Sequence, residues 1–192
     1  NNPAKLPVAL IDVLAGHQLK EAALLALLHR EKTGEGSYTI CSLEASSLAA
    51  LANQASNYLM AGKVAKPIGT AHPNIAPYGD WFETKDGVRF VLAVGSEKHF
   101  VQLTEVLNRE KMASDSRFAS NILRVKNREA LNERLKQSIG ALNFAELSQQ
   151  MNDAGIPFGE IKTLDSVLCG ETAQQMRLEE NQEGAGTTRL SG

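Results

Sequence analysis

Apolar and polar positions along the chain sort into a few segments. Pro7-Val8-Ala9-Leu10-Ile11 is a short apolar run ended by Asp12 and predicts a buried strand end or an extended lead-in. From Val13 to Lys32, Leu14, Leu19, Ala22, Ala23, Leu25, Ala26, Leu27 and Leu28 form a stripe that is nearly all-round at its centre, which predicts a well-buried helix. Gly34 supplies a left-handed C-cap, with His29, Arg30 and Lys32 suited to the negative end of the dipole. Ser37 to Leu43 alternates as a strand would, and Glu44 to Met60, rich in alanine and serine, predicts a closely packed helix. Gly62 to Gly79 is broken by Pro67, Gly69, Pro73 and Pro77 and predicts a loop or linker. Trp81 to Thr84 and Val88 to Val94 around Lys85-Asp86-Gly87 predict a β-hairpin. Ser96 is the expected N-cap of a helix facing inward through Phe100, Leu103 and Leu107. Asn121 is expected to cap a helix running to about Ile139, and Phe144 to Ala154 a further helix stopped by Gly155. Ile156 to Ile161 returns as an extended segment, and the polar, glycine-containing stretch after Gly170 is expected to be weakly folded when taken alone.

Composition narrows the class without naming a function. The 192 residues are 43% hydrophobic and 22% charged, as in an ordinary globular protein of one domain or two small ones. Twenty Lys+Arg against 22 Asp+Glu give a net charge of −2, and the basic residues are scattered, so neither nucleic acid nor an anionic membrane is an expected partner. Cys41 and Cys169 lie far apart with no histidine at ligand spacing, which argues against a disulfide framework and a metal site. No apolar run reaches the ~20 residues of a membrane span, and the reading favours a cytoplasmic protein, or a mitochondrial one in a eukaryote.

Two places could carry chemistry. Asp12 stands where an apolar run meets a helix start; there it can simply cap the helix, or it can serve as an ionised carboxylate nucleophile close to free backbone N–H groups. The loop from Ile68 to Gly79 offers Gly69, where amides can approach an anion, and the donors His72, Asn74 and Tyr78; a structural crossover explains the same residues. His17, His29 and His99 read as surface or helix-end residues. No GxSxG, P-loop, GxGxxG or HExxH pattern supports serine hydrolysis, phosphoryl transfer or zinc chemistry.

A longer series of strings adds a resemblance. Asp12 and its Ala/Leu-rich helix lead to Arg30-Glu31-Lys32-Thr33-Gly34-Glu35-Gly36, Tyr38-Thr39-Ile40-Cys41-Ser42-Leu43 and Asn57-Tyr58-Leu59-Met60-Ala61-Gly62. Gly69-Thr70-Ala71-His72-Pro73-Asn74-Ile75-Ala76-Pro77-Tyr78, Asp115-Ser116-Arg117-Phe118, Asn121 with Arg124-Val125 and Asn127-Arg128, and Ala154-Gly155-Ile156-Pro157-Phe158-Gly159 follow. In this order they resemble the class III (CaiB/BaiF) CoA-transferases, which have the α-methylacyl-CoA racemases as relatives.

The resemblance implies an α/β fold: part of a Rossmann-like large domain over residues 1–62, a linker over 63–80, a small α+β domain over 81–168 and a return segment over 169–192, in an interlocked homodimer. It implies that Asp12 attacks an acyl-CoA thioester to give a mixed anhydride, that CoA thiolate captures the aspartyl carbonyl, and that a carboxylic acid leaves as the new CoA ester. The substrates would be an acyl-CoA and a small carboxylic acid, with no permanently bound cofactor and no metal. Gly69, Thr70, Ala71, His72 and Asn74 would contact substrate, in the region where some members carry a run of adjacent glycines. Strings such as Asn57-Tyr58-Leu59 lean towards members acting on succinate and glutarate. A racemase-type isomerase and a non-catalytic fragment are the alternatives. The family's opening segment has no counterpart here, so the chain is expected to be either part of a longer enzyme or a shortened homologue.

Overall fold

A computed structural model describes residues 5–182 and 185–190, and of these every side chain except those of 180–187. The chain divides into two units, Asn1–Pro67 and Ile68–Gly192.

The first unit is helical. Helix α1 spans Leu10–Thr33 and ends on Gly34, whose φ of 76° allows its N–H to reach the Arg30 carbonyl. Ser42, rather than a residue further on, caps α2 (Leu43–Ala50) by accepting from the Ala45 N–H at 3.1 Å. Helix α3 (Ala52–Ala61) is separate from α2 because Ala52 takes a φ of 45°, outside the right-handed helical range, so the expected single helix is two. Two further expectations are corrected. Residues 37–42 are extended but form no strand, since among the described residues of this unit no second strand exists to pair with their backbone. No residue of α1 is buried: its apolar positions point in all directions, and one helical neighbour covers only one stripe. That stripe meets α2 at a polar knot in which the buried Ser46 hydroxyl donates to Gln18 Oε1 at 2.8 Å and the Cys41 thiol lies 3.4 Å from the Ala15 carbonyl.

The second unit is built on a three-stranded antiparallel sheet, β1 (Tyr78–Glu83), β2 (Arg89–Ala93) and β3 (Phe158–Glu160), with β2 central. The expected hairpin is present in the register Trp81↔Val91, Phe82↔Phe90 and Glu83↔Arg89. Its turn also fixes a helix: the Asp86 carboxylate accepts from the Phe144 N–H at 3.0 Å and so caps α7 (Phe144–Asp153), which has no cap from its own Asn143. Helix α4 (Glu97–Val106) is capped by Ser96 as expected, and Phe100 and Leu103 on its inner face are buried. The expected helix from Asn121 to Ile139 is instead α5 (Asn121–Lys126), capped by Ser120, and α6 (Arg128–Ile139). The break is at Asn127, whose side-chain amide donates to the backbone carbonyls of Leu123 and Arg117 in competition with the helical ladder.

Alternate residues of β1 and β2 (Phe82, Phe90, Leu92) pack against Leu103, Leu131, Leu135, Ile139, Leu147 and Met151 to form one core, with Phe90, Phe144 and Phe158 in ring contact at 5.7–6.1 Å. Two short helices, α8 (Leu164–Leu168) and α9 (Glu171–Gln175), then lead to a hairpin, β4 (Arg177–Gln182) and β5 (Ala185–Leu190). The tail expected to be weakly folded thus pairs its own backbone from Arg177↔Leu190 to Gln182↔Ala185. Among the described residues, no helix is long and apolar enough to cross a membrane.

Acid stability of this unit follows from its carboxylates. Side-chain and backbone donation from Arg117, with Arg134 nearby, holds Asp115 well below the usual carboxylate range, and Arg124 lowers Glu97. Both groups are ionised more readily folded than unfolded. Their stabilisation is therefore complete above the ordinary carboxylate pKa of about 4 and is lost as pH falls below it. Thermal melts followed by circular dichroism are expected to lose Tm below about pH 4, and Asp115→Asn should flatten that loss; an acid-side Tm profile identical to wild type would contradict it.

Candidate functional site

Asp12 is the third residue of α1. The N-cap is Ala9, which has no side-chain cap, so the capping alternative for Asp12 is corrected: the helix starts at Leu10, three residues earlier than the apolar pattern suggests. The Asp12 side chain is exposed and, among the described residues, makes no hydrogen bond or ion pair. It sits in the first turn, where backbone N–H groups lack intrahelical acceptors and the positive end of the helix favours an anion. An uncommitted carboxylate beside unfilled donors can attack an electrophilic carbonyl and leave donors for the developing oxyanion.

The loop residues Gly69, Thr70, Ala71, His72 and Asn74 belong to the second unit. Gly69 (φ 70°), Thr70 and Asn74 are exposed, while Ala71 and His72 are half-buried. The loop closes on itself. The His72 N–H donates to the Tyr78 carbonyl at 2.8 Å, the two rings meet edge to face at 5.3 Å, and the Asn74 N–H donates to His72 Nδ1 at 3.1 Å. Gly79 is required where the loop ends: its φ is 77°, and a Cβ there would collide with the Thr70 carbonyl oxygen.

Three side chains fasten the loop to α5 and α6. Asn121 accepts from the Ala76 N–H at 3.1 Å and donates to the Asn74 carbonyl at 2.7 Å. Arg124, 2% exposed, donates to the carbonyls of Ala76 (2.8 Å) and Phe118 (3.1 Å), pairs with Glu97 at 2.7 Å, and lies 4.3 Å above the Phe100 ring. Arg128 pairs with Asp80 at 2.7 Å and donates to the carbonyls of His72 and Ile75. The sequence offers Asn121 as a helix cap, a role that Ser120 takes, and Arg124 and Arg128 only as parts of a motif. A usable signal was their spacing: Asn121, Arg124, Arg128 and Asn132 recur at three and four residues, a polar stripe on helical segments that otherwise supply core.

The description of CoA-transferase family III matches residues 1–189. The chain belongs to that family. It is 35% identical over 167 residues to the succinyl-CoA:glutarate CoA-transferase of Mus musculus, covering 87% of this chain and 38% of that protein. It is 30% identical over 190 residues to the succinate–glutarate CoA-transferase of Agrobacterium fabrum, covering 99% of this chain and 47% of that one. A CaiB/BaiF family crystal structure from Brucella suis superposes with a TM-score of 0.67 at 34% identity, covering 97% of this chain and 49% of that chain. Rv3272 from Mycobacterium tuberculosis, at 24% identity, shares the fold with a TM-score of 0.81 over 100% of this chain and 50% of that one. The chain therefore spans less than half the length of the curated relatives it matches.

The mixed α/β fold expected of a family III CoA-transferase is thus present. Its relatives act on CoA thioesters, and among the described residues no group of three His, Cys, Asp or Glu side chains could hold a metal ion.

Proposed function

We propose that this family III chain takes part in moving CoA from one dicarboxylic acid to another, with Asp12 as the nucleophile. The observation that carries the reading is the match over residues 1–189 to a family in which three relatives at 30–35% identity are named for succinate and glutarate. Asp12 attacks the succinyl-CoA carbonyl, its carbon–sulfur bond breaks, and a mixed anhydride and CoA thiolate result. The thiolate attacks the aspartyl carbonyl, which releases succinate and leaves an aspartyl-CoA thioester. The acceptor carboxylate displaces the thiolate to give a second anhydride, and thiolate attack on its acyl carbonyl releases glutaryl-CoA and free Asp12. No proton or electron is gained or lost overall, so aspartate, anion-stabilising N–H groups and exclusion of water suffice.

In this reading Gly69, Thr70, Ala71, His72 and Asn74 bind substrate. Residues 1–62 form part of a Rossmann-like large domain, 63–80 the connection, 81–168 the small domain and 169–192 a return segment. A homodimer, as the resemblance to the family implies, is part of this reading. The substrates are small water-soluble anions, and the proposed location is the cytoplasm, or the mitochondrion in a eukaryote.

The test is to incubate the protein with succinyl-CoA and glutarate, follow glutaryl-CoA by chromatography, and trap the thioester with hydroxylamine. Glutaryl-CoA with a hydroxamate on the Asp12 peptide is expected. A modified peptide elsewhere, or exchange without any trapped peptide, would overturn the assignment.

A further inference from the structure

The carbonyl groups of the loop are unusually well occupied. Those of His72 and Ile75 converge on one guanidinium, Arg128 Nη2, at 2.5 and 2.8 Å, while Nη1 of the same group lies 2.7 Å from Asp80 Oδ2. Asp80 is 7% exposed, and its other oxygen accepts from Asn132 Nδ2 at 2.7 Å. Helix α6 therefore grips both ends of the arc from His72 to Ile75. Inside that arc the Asn74 N–H donates to His72 Nδ1, which places the proton of the neutral imidazole on Nε2. A lysine could not replace the clamp, because one ammonium cannot present the planar fork that meets two carbonyls and a carboxylate together.

The arc itself contributes little to the core: Asn74 is exposed and His72, Pro73 and Ile75 are half-buried. A nearly buried ion pair spent on a segment that packs so little has the form of preorganisation, in which a binding edge is held in one conformation before its ligand arrives. We propose that Arg128 is a positioning residue for the acyl-CoA substrate, acting through the carbonyls of His72 and Ile75 to fix the loop and the His72 tautomer. The proposal rests on the reading above that this loop binds substrate.

The experiment compares wild type, Arg128→Met, Arg128→Lys and, as a control, Asp115→Asn, which removes two ion pairs of the same unit that touch no loop residue. Two readouts are taken: the 15N shifts of the His72 imidazole, and calorimetric affinity for succinyl-CoA and for free CoA. Arg128→Met is expected to mix the two imidazole tautomers and weaken succinyl-CoA binding about tenfold to a hundredfold, with a smaller effect on free CoA. Arg128→Lys should fall between, and Asp115→Asn should leave both readouts as in wild type. Where Arg128→Met does not fold, the lysine variant decides on the same two readouts. Wild-type His72 shifts and wild-type affinity in a folded Arg128 variant would overturn the proposal. If wild type itself binds no succinyl-CoA, the substrate reading of the loop falls, while the His72 shifts still decide whether Arg128 orders it.

Discussion

Asp12→Ala is expected to lower succinyl-CoA:glutarate exchange by on the order of 10⁴-fold or more, with affinity for the CoA ester changed little. A nucleophile contributes to bond making rather than to ground-state binding, and its removal in other covalent enzymes costs rates of that size. Asp12→Glu keeps the charge but moves the carboxylate by one methylene, and roughly a 10²-fold loss follows from misplacement of that extent. Asp12 is exposed in the first turn of α1 and fills no core position, so neither substitution should shift Tm appreciably. Exchange rates and calorimetric affinity measured on the same preparations check this. Full activity in Asp12→Ala would remove the nucleophile from the mechanism, and equal loss of rate and affinity would make it a binding residue.

The largest stability effect is expected at Arg124. Its guanidinium is buried, serves the carbonyls of Ala76 and Phe118, meets Glu97 and stacks on Phe100. Arg124→Ala leaves two buried carbonyls without their donor and opens a void beside the ring. A cost of about 3 kcal/mol is expected, and for a unit of this size a fall in Tm of roughly 10 °C. Glu97 remains 60% exposed and can turn to water, so the penalty of stranding a buried charge does not add to this. Arg124→Lys keeps the positive charge but cannot reach all acceptors, and it should recover less than half of the loss. Thermal melts of the three proteins test the expectation, and an alanine variant within 2 °C of wild type would refute it.

Much of the second unit was legible because its signals are local. Asp86-Gly87 marks the hairpin turn, Ser96 accepts from the N–H three residues on to cap its helix, and Phe100 and Leu103 repeat at helical spacing; each depends on neighbours a few residues away. The misreadings have physical causes of the opposite kind. Ser37 to Leu43 has the alternation of a strand, but a strand exists only where a second backbone can pair with it. The all-round apolar pattern of α1 predicts a covered helix, yet what covers it is not written in its own period. At Asn127 a side chain competes with the helix ladder, a choice that propensity alone does not decide.

The sequence by itself determined the family, the residue types at the site and their order, because strings such as Gly69 to Tyr78 are read letter by letter. Asp12 at a helix start and the donors of the loop were visible in that way. Only the tertiary structure decided that Asp12 lies in the first turn rather than at the cap, and that the loop is a clamped arc rather than a free linker. Arg124 and Arg128 reach it across 48 and 56 positions, to Ala76 and His72. Nothing in a linear pattern specifies which carbonyl a guanidinium will meet at that separation; the packing of α5 and α6 against the sheet brings them together.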